Sequence, residues 1–227
     1  MSKGASGVRY AEVSRETKET KVTVVLDLDG GSRRDIETGI GFFDHMLDQL
    51  AFHGEFNVGI QAEGDLIIDD HHTVEDVGLT LGTAFRRAME ASPQIARYAS
   101  NHTPMDDALV LVALDFSGRA FLDFDVNFER ESIGAMSTEC VREFFRAFCT
   151  QAGMNLHIRK LAGHNDHHVC EAIYKGVGRA SMMRQHRRKI EARQHQGPGQ
   201  KLTAQLNCLR NSINEHVFSA RRVSRSW

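Results

Sequence analysis

The chain has 227 residues, a net charge of −2 and an ordinary apolar share of 41 %. It is long enough to bury a good core, as one domain or two halves, and has no global basic field to recruit nucleic acid or a membrane surface. No apolar run is long enough to span a bilayer, and Met1-Ser2-Lys3-Gly4 lacks an apolar leader. The four cysteines, Cys140, Cys149, Cys170 and Cys208, show no CxxC spacing, so the expectation is a cytoplasmic protein with reduced thiols.

In chain order, residues 1–8 read as a flexible lead-in. Lys21 to Leu28 is β-branched and strand-like, and Asp29-Gly30-Gly31 is a turn. Ile36 to Gly39 reads as a second short strand. Phe42, Phe43, Met46, Leu47 and Leu50 fit one face of a helix from Phe42 to His53, closed by Gly54. Phe56 to Ile60 alternates as a strand, and Leu66-Ile67-Ile68 reads as more of the sheet after a Gly64-Asp65 turn. A helix then opens at Asp70-His71-His72 and runs to about Glu90.

The second half repeats this order. Asp107 to Asp115 reads as a buried strand, Ser117-Gly118-Arg119 as a break, and Phe121 to Phe128 as an alternating strand. Thr138 to Gln151 is helical, Gly153 ends that helix, Leu156-His157-Ile158 is a strand, and a helix begins near Asp166. The expected fold is therefore α+β: two repeated half-domains, residues 9–93 and 94–183, each a mainly antiparallel sheet with helices on one face. Residues 184–227 read as a divergent, poorly ordered tail.

The unusual feature is histidine, with 12 residues concentrated in two H-H-x-x-E blocks. His71-His72-Thr73-Val74-Glu75 recurs as His167-His168-Val169-Cys170-Glu171, 96 residues later (167 − 71). Residues four apart share a helix face, so His71 projects with Glu75 and His167 with Glu171, while the adjacent histidine points about 100° away. One block cannot easily aim both histidines at one ion; two blocks can share two ions, or serve ions between subunits. His45 lies 26 residues before His71 (71 − 45) and Glu143 lies 24 before His167 (167 − 143), giving four ligand-type positions in each half. A single histidine pair at a helix start is ordinarily a solvated surface feature. Two pairs in repeated context point to a metal site.

Imidazole with carboxylate suits Mn²⁺, Fe²⁺ or Zn²⁺, and the lack of cysteine ligands argues against a structural zinc clip. The pattern is not H-E-x-x-H, so a metalloprotease reading lacks its general base, while a di-metal hydrolase stays open. Asp69, Asp70, Asp76 and Asp166 flank the histidines, to orient imidazoles or to cap helices. Glu19 is an acid/base candidate, or merely a charged edge residue. Arg97 and Arg119 are candidate phosphate clamps. Lys175, four after Glu171, shares that ligand's helix face.

Taken together, Thr17-Lys18-Glu19-Thr20, Gly39-Ile40-Gly41-Phe42-Phe43-Asp44-His45, Asp69-Asp70-His71-His72-Thr73-Val74-Glu75-Asp76, Pro104-Met105-Asp106, Asp115 to Arg119 and Leu156 to Glu171 closely resemble the imidazoleglycerol-phosphate dehydratase family of histidine biosynthesis. The resemblance covers roughly residues 9–180. It implies removal of water from imidazole glycerol phosphate to give imidazole acetol phosphate, two Mn²⁺ per active site, and an octahedral 24-subunit homo-oligomer with sites at subunit interfaces. The implied metal ligands are His45, His71, His72, Glu75, Glu143, His167, His168 and Glu171. Glu19, Glu171 and His71 are the implied catalytic groups, and Glu19, Arg97, Arg119 and Lys175 the substrate contacts. The chemistry suits such a site: a metal-bound imidazole loses a proton more readily, and the resulting anion helps to expel the adjacent hydroxyl.

The sequence also departs from that pattern. Many relatives have His at position 143, and Glu at position 107 where this chain has Asp. After Ala180 the family pattern ends in a Ser-x-Lys-Gly-type phosphate loop. Here Ser181 to Lys189 is basic and no such loop follows. Read one base later, the codons possible for Gln194-His195-Gln196-Gly197 admit that signature, which suggests a coding frameshift after Met183. Sequencing the gene decides this. The alternative function is a catalytically impaired, metal-binding assembly subunit without its phosphate loop.

Overall fold

The computed structural model describes residues 8–91 and 97–194, with side chains of the last helix described to residue 181. The chain divides into two units, Met1–His186 and Arg187–Trp227, and the architecture is that of the first. Of the expected tail, residues 184–227, the part to Gln194 continues the helix that opens at Asp166, and residues 195–227, with most of the frameshift segment, lie outside the described residues.

The first half opens with an antiparallel hairpin, β1 (Tyr10–Glu16) and β2 (Thr20–Asp27), with Val13 opposite Val24. Next come β3 (Arg34–Glu37), α1 (Gly41–His53), β4 (Asn57–Gly64) and α2 (His71–Glu90). β4 pairs antiparallel with β2 and parallel with β3, for a strand order of β1-β2-β4-β3. A parallel pair needs a crossover, which α1 provides.

The second half repeats the plan with β5 (Tyr98–Met105), β6 (Ala108–Asp115), β7 (Phe121–Asp125), a small ribbon of β8 (Ser132–Ile133) and β9 (Met136–Ser137), α3 (Thr138–Ala152), β10 (Asn155–Ala162) and α4 (Asp166–Gln194). Its order is β5-β6-β10-β7, again with only the last pair parallel. The fold is thus the expected α+β repeat.

One apolar cluster joins the halves. Val22, Val24 and Leu26 on β2 and Val110 and Val112 on β6 face it, together with Leu50 on α1, Leu81 on α2, Phe148 on α3 and Ile173 on α4. A run of edge-on rings crosses the centre, Phe56 to Phe85 to Phe148, and Tyr174 stacks on Phe144. Each such pair adds roughly 0.5–1.5 kcal/mol beyond the burial of its rings.

Two expectations are corrected. Leu66-Ile67-Ile68 is a turn rather than strand, since Asp65 accepts the Ile68 N–H and Ile67 is left 95 % exposed. The alternation from Phe121 to Phe128 yields a strand only to Asp125, where pairing with β10 stops at Arg159. The strands β1 and β5 lie at sheet edges, and β5 tolerates Pro104 for that reason. No described helix is long and apolar enough to cross a membrane.

Candidate functional site

Four helices deliver the ligand-type residues in two crossed sets. α1 and α4 bring together His45, His167 and Glu171, the first set. α2 and α3 bring together His71, Glu75 and Glu143, the second. Each set takes one helix from each half, because glycines let these helices approach closely. A Cβ on Gly178 would lie 2.3 Å from the Leu50 carbonyl oxygen, and one on Gly82 would lie 2.5 Å from that of Phe148. These contacts obey the repeat: the glycines are 96 apart (178 − 82), as the histidine blocks are, and the carbonyls 98 apart (148 − 50), as His45 and Glu143 are.

In the first set the ligand atoms of His45, His167 and Glu171 all lie within 4.8 Å of one another. Glu171 Oε2 is 3.2 Å from His167 Nε2 and 3.7 Å from His45 Nε2. Atoms bound about 2.0–2.2 Å from one ion sit at roughly this mutual spacing. Burial pushes the Glu171 carboxyl up, but the ammonium of Lys175, 2.6 Å from Oε1, and the charges of His45 and His167 outweigh it, so the net shift is downward. The residue stays an anion. An imidazole and carboxylate donor set of this kind fits Mn²⁺.

In the second set His71 Nε2 lies 4.0 Å from Glu75 Oε2. Arg146 spans the other two groups, with its Nη2 2.7 Å from Glu75 and its Nε 2.5 Å from Glu143.

The remaining two histidines point elsewhere. The His71 and His72 rings stand at 84° with centroids 6.1 Å apart, and those of His167 and His168 at 83° and 6.1 Å. His72 Nδ1 donates to Asp65 at 3.0 Å, which raises its pKa. His168 Nδ1 donates to Asp107 at 2.7 Å. Each imidazole therefore keeps Nε2 for other work, although His168 Nε2 also has Asp106 at 3.4 Å.

The flanking aspartates do other jobs. Asp69 accepts the His71 N–H. Asp70 accepts the N–H and hydroxyl of Ser137, pinning the start of α3 beside α2. Asp166, 96 residues on (166 − 70), accepts the N–H groups of Glu129 and Arg130. Asp76 ties α2 to the sheet through Arg15 and Thr20. The imidazole-holding carboxylates are instead Asp65 and Asp107, and the second set contains Arg146. The sequence signal for Arg146 was available, since it falls three residues after Glu143 on the same helix face.

The substrate candidates are dispersed. Glu19 is exposed on the β1–β2 turn, where its charge is felt at His72. Lys175 joins the first set. Arg97, 62 % exposed, pairs with Asp115 at 2.8 Å, and Arg119 is exposed in the break after β6. His53, on the last turn of α1, was not singled out. Burial, then the charges of Lys175 and Arg179, lower its pKa.

Comparison with known proteins places this geometry in context. The family model described as imidazoleglycerol-phosphate dehydratase matches residues 38–181. Imidazoleglycerol-phosphate dehydratase of Caldicellulosiruptor saccharolyticus is 54 % identical over 171 residues, 75 % of this chain and 88 % of the relative. That of Azorhizobium caulinodans is 54 % identical over 173 residues, 76 % and 88 %. The crystal structure of the Staphylococcus aureus dehydratase aligns with a TM-score of 0.68 at 34 % identity, covering 77 % of this chain and 98 % of that one. The Pyrococcus furiosus structure in complex with (S)-C348 aligns at 0.67 and 35 %, covering 75 % and 92 %.

Proposed function

The chain belongs to the imidazoleglycerol-phosphate dehydratase family, and from that premise we propose a Mn²⁺-dependent hydro-lyase of histidine biosynthesis acting in the cytoplasm. The dehydratase activity, a lyase step of that pathway, follows from the family. The observation that supports the metal is the gathered set His45, His167 and Glu171, which falls inside the matched stretch.

In this reading one Mn²⁺ is held by His45, His167 and Glu171 and the second by His71, Glu75 and Glu143. His72 and His168 complete the sets of neighbouring copies in an octahedral 24-subunit homo-oligomer. When bound, the two ions supply Lewis-acid charge to the substrate's imidazole and diol. Glu19, His71 and Glu171 handle the protons: one C–H proton and the neighbouring hydroxyl leave as water, and the enol that remains becomes the ketone of imidazole acetol phosphate. Arg97, Arg119 and Lys175 bind the phosphate and position the tail away from the bonds that change.

The test is turnover of imidazole glycerol phosphate by metal-stripped protein with and without added Mn²⁺. Product that appears only on adding Mn²⁺ and disappears with chelator is the expected result. Bound metal without product would instead identify an impaired assembly subunit, phosphate release a di-metal hydrolase, and absence of metal binding would overturn the reading.

A further inference from the structure

The two ligand sets are related by the repeat but differ at one position. In the first set the helix of His45 carries Asp48 three residues on, and Asp48 pairs with Arg34 at 2.6 Å. In the second set the corresponding position, 98 residues later (146 − 48), is Arg146. Its planar fork is matched to two carboxylates, Glu143 at 2.5 Å and Glu75 at 2.7 Å, so it engages two of the three ligands there. Lys175 engages only Glu171 of the first set and leaves the other oxygen facing both imidazoles. Among the described residues, only the first set is drawn together closely enough to enclose an ion.

We infer that Arg146 is a built-in cation that holds the second set until a metal displaces it, so that the two ions load in order, the first set before the second. The inference rests on the metal reading above. The guanidinium holds one oxygen of Glu75 and one of Glu143 and stays charged at any working pH, so an ion entering between them meets a fixed positive charge as well as two occupied oxygens. A side chain 51 % exposed can swing into water, so the arginine is displaceable rather than a permanent block. Loading the second set works against two charge-assisted hydrogen bonds: the one to Glu143 has no equivalent on His45, and the one to Glu75 is matched in the first set by Lys175 on Glu171.

The test is titration of the metal-free, full-length protein with Mn²⁺, following the free ion by electron paramagnetic resonance. The expected result is a tight and a weak class of sites, with the tight class missing in His45→Ala. Arg146→Met tightens the weak class by about tenfold and leaves the tight class unmoved, the scale set by one or two charged hydrogen bonds. Arg146→Lys, which keeps the charge and loses the fork, falls between. A weak class that is unchanged or weaker in Arg146→Met, or two classes that shift together, overturns the ordered loading and leaves the metal reading standing. Wild-type protein that takes up no Mn²⁺ overturns both.

Discussion

Asp107 shows how one carboxylate can govern a neighbouring candidate ligand. Its Oδ1 accepts from His168 Nδ1 at 2.7 Å, and its Oδ2 accepts the N–H groups of His164 and Asn165 at 2.7 and 3.1 Å. These bonds, the His164 N–H first, hold its carboxyl far below the usual carboxylate range. One carboxylate therefore fixes the imidazole's tautomer and the loop that opens α4. Asp107→Ala is expected to lower Mn²⁺ affinity on the order of 10–100-fold with an unchanged far-ultraviolet circular dichroism spectrum. Unchanged affinity would show that His168 needs no such support. The thiols carry the opposite lesson. Burial pushes Cys149 up to about 12, and burial pushes Cys140 and Cys170 up as well. A thiol whose pKa is raised by folding stays protonated, and its stabilising effect is complete below the ordinary thiol pKa of about 8.5 and is lost as pH rises through the folded value. In a Cys208→Ser variant, no thiol should react with an aromatic disulfide reagent at pH 8 until denaturant is added; fast reaction of the native protein would contradict this burial.

Helix packing positions the two sets separately. A methyl group on Gly82 meets the Phe148 carbonyl, and one on Gly178 meets that of Leu50, both far inside contact distance and against backbone that cannot rotate aside. Gly82→Ala should push α2 from α3, cost roughly 1–3 kcal/mol in urea unfolding, and weaken Mn²⁺ binding at the second set alone. Gly178→Ala should do the same to the first set by parting α4 from α1. If either variant weakened both classes equally, the sets would not be independent units. The helices and central strands were legible because their apolar periods are long and inward faces continuous, as with Met46, Leu47 and Leu50. Two of the edge strands, β1 and β5, were not. β1 reads outward as Glu12, Ser14 and Glu16, and β5 includes Pro104, so neither has the β-branched density of a central strand. Leu66-Ile67-Ile68 misled for the reverse reason: the residues favour a strand, but the Asp65 to Ile68 turn bond sets the backbone.

At the scale of the whole molecule, spacing alone paired His71 with Glu75 and His167 with Glu171, and the rings diverge as helix geometry requires. Spacing could not show that the sets cross between halves, since that depends on glycine contacts at long range, nor that Arg146 bridges one of them. The divergent rings also bear on assembly. Neither His72 nor His168 faces the set its own block contributes to, so each is left for a partner of complementary geometry, which in the proposed assembly is a second copy of the chain. The loop that leads into His72 has a surface suited to such a partner: Ile67 is 95 % exposed and Ile68 70 %, next to one another and just ahead of Asp69. Isolated exposed apolar residues are ordinary, but adjacent ones on a loop leading into candidate ligands suit the contact that the proposed assembly requires. Ile67→Asp places a charge in that contact without touching the core. It is expected to shift sedimentation from the large assembly to smaller species and to lower Mn²⁺ bound per chain, because His72 is then no longer presented to a neighbour. An assembly of unchanged size with unchanged metal content would place the interface elsewhere and leave His72 without its proposed role.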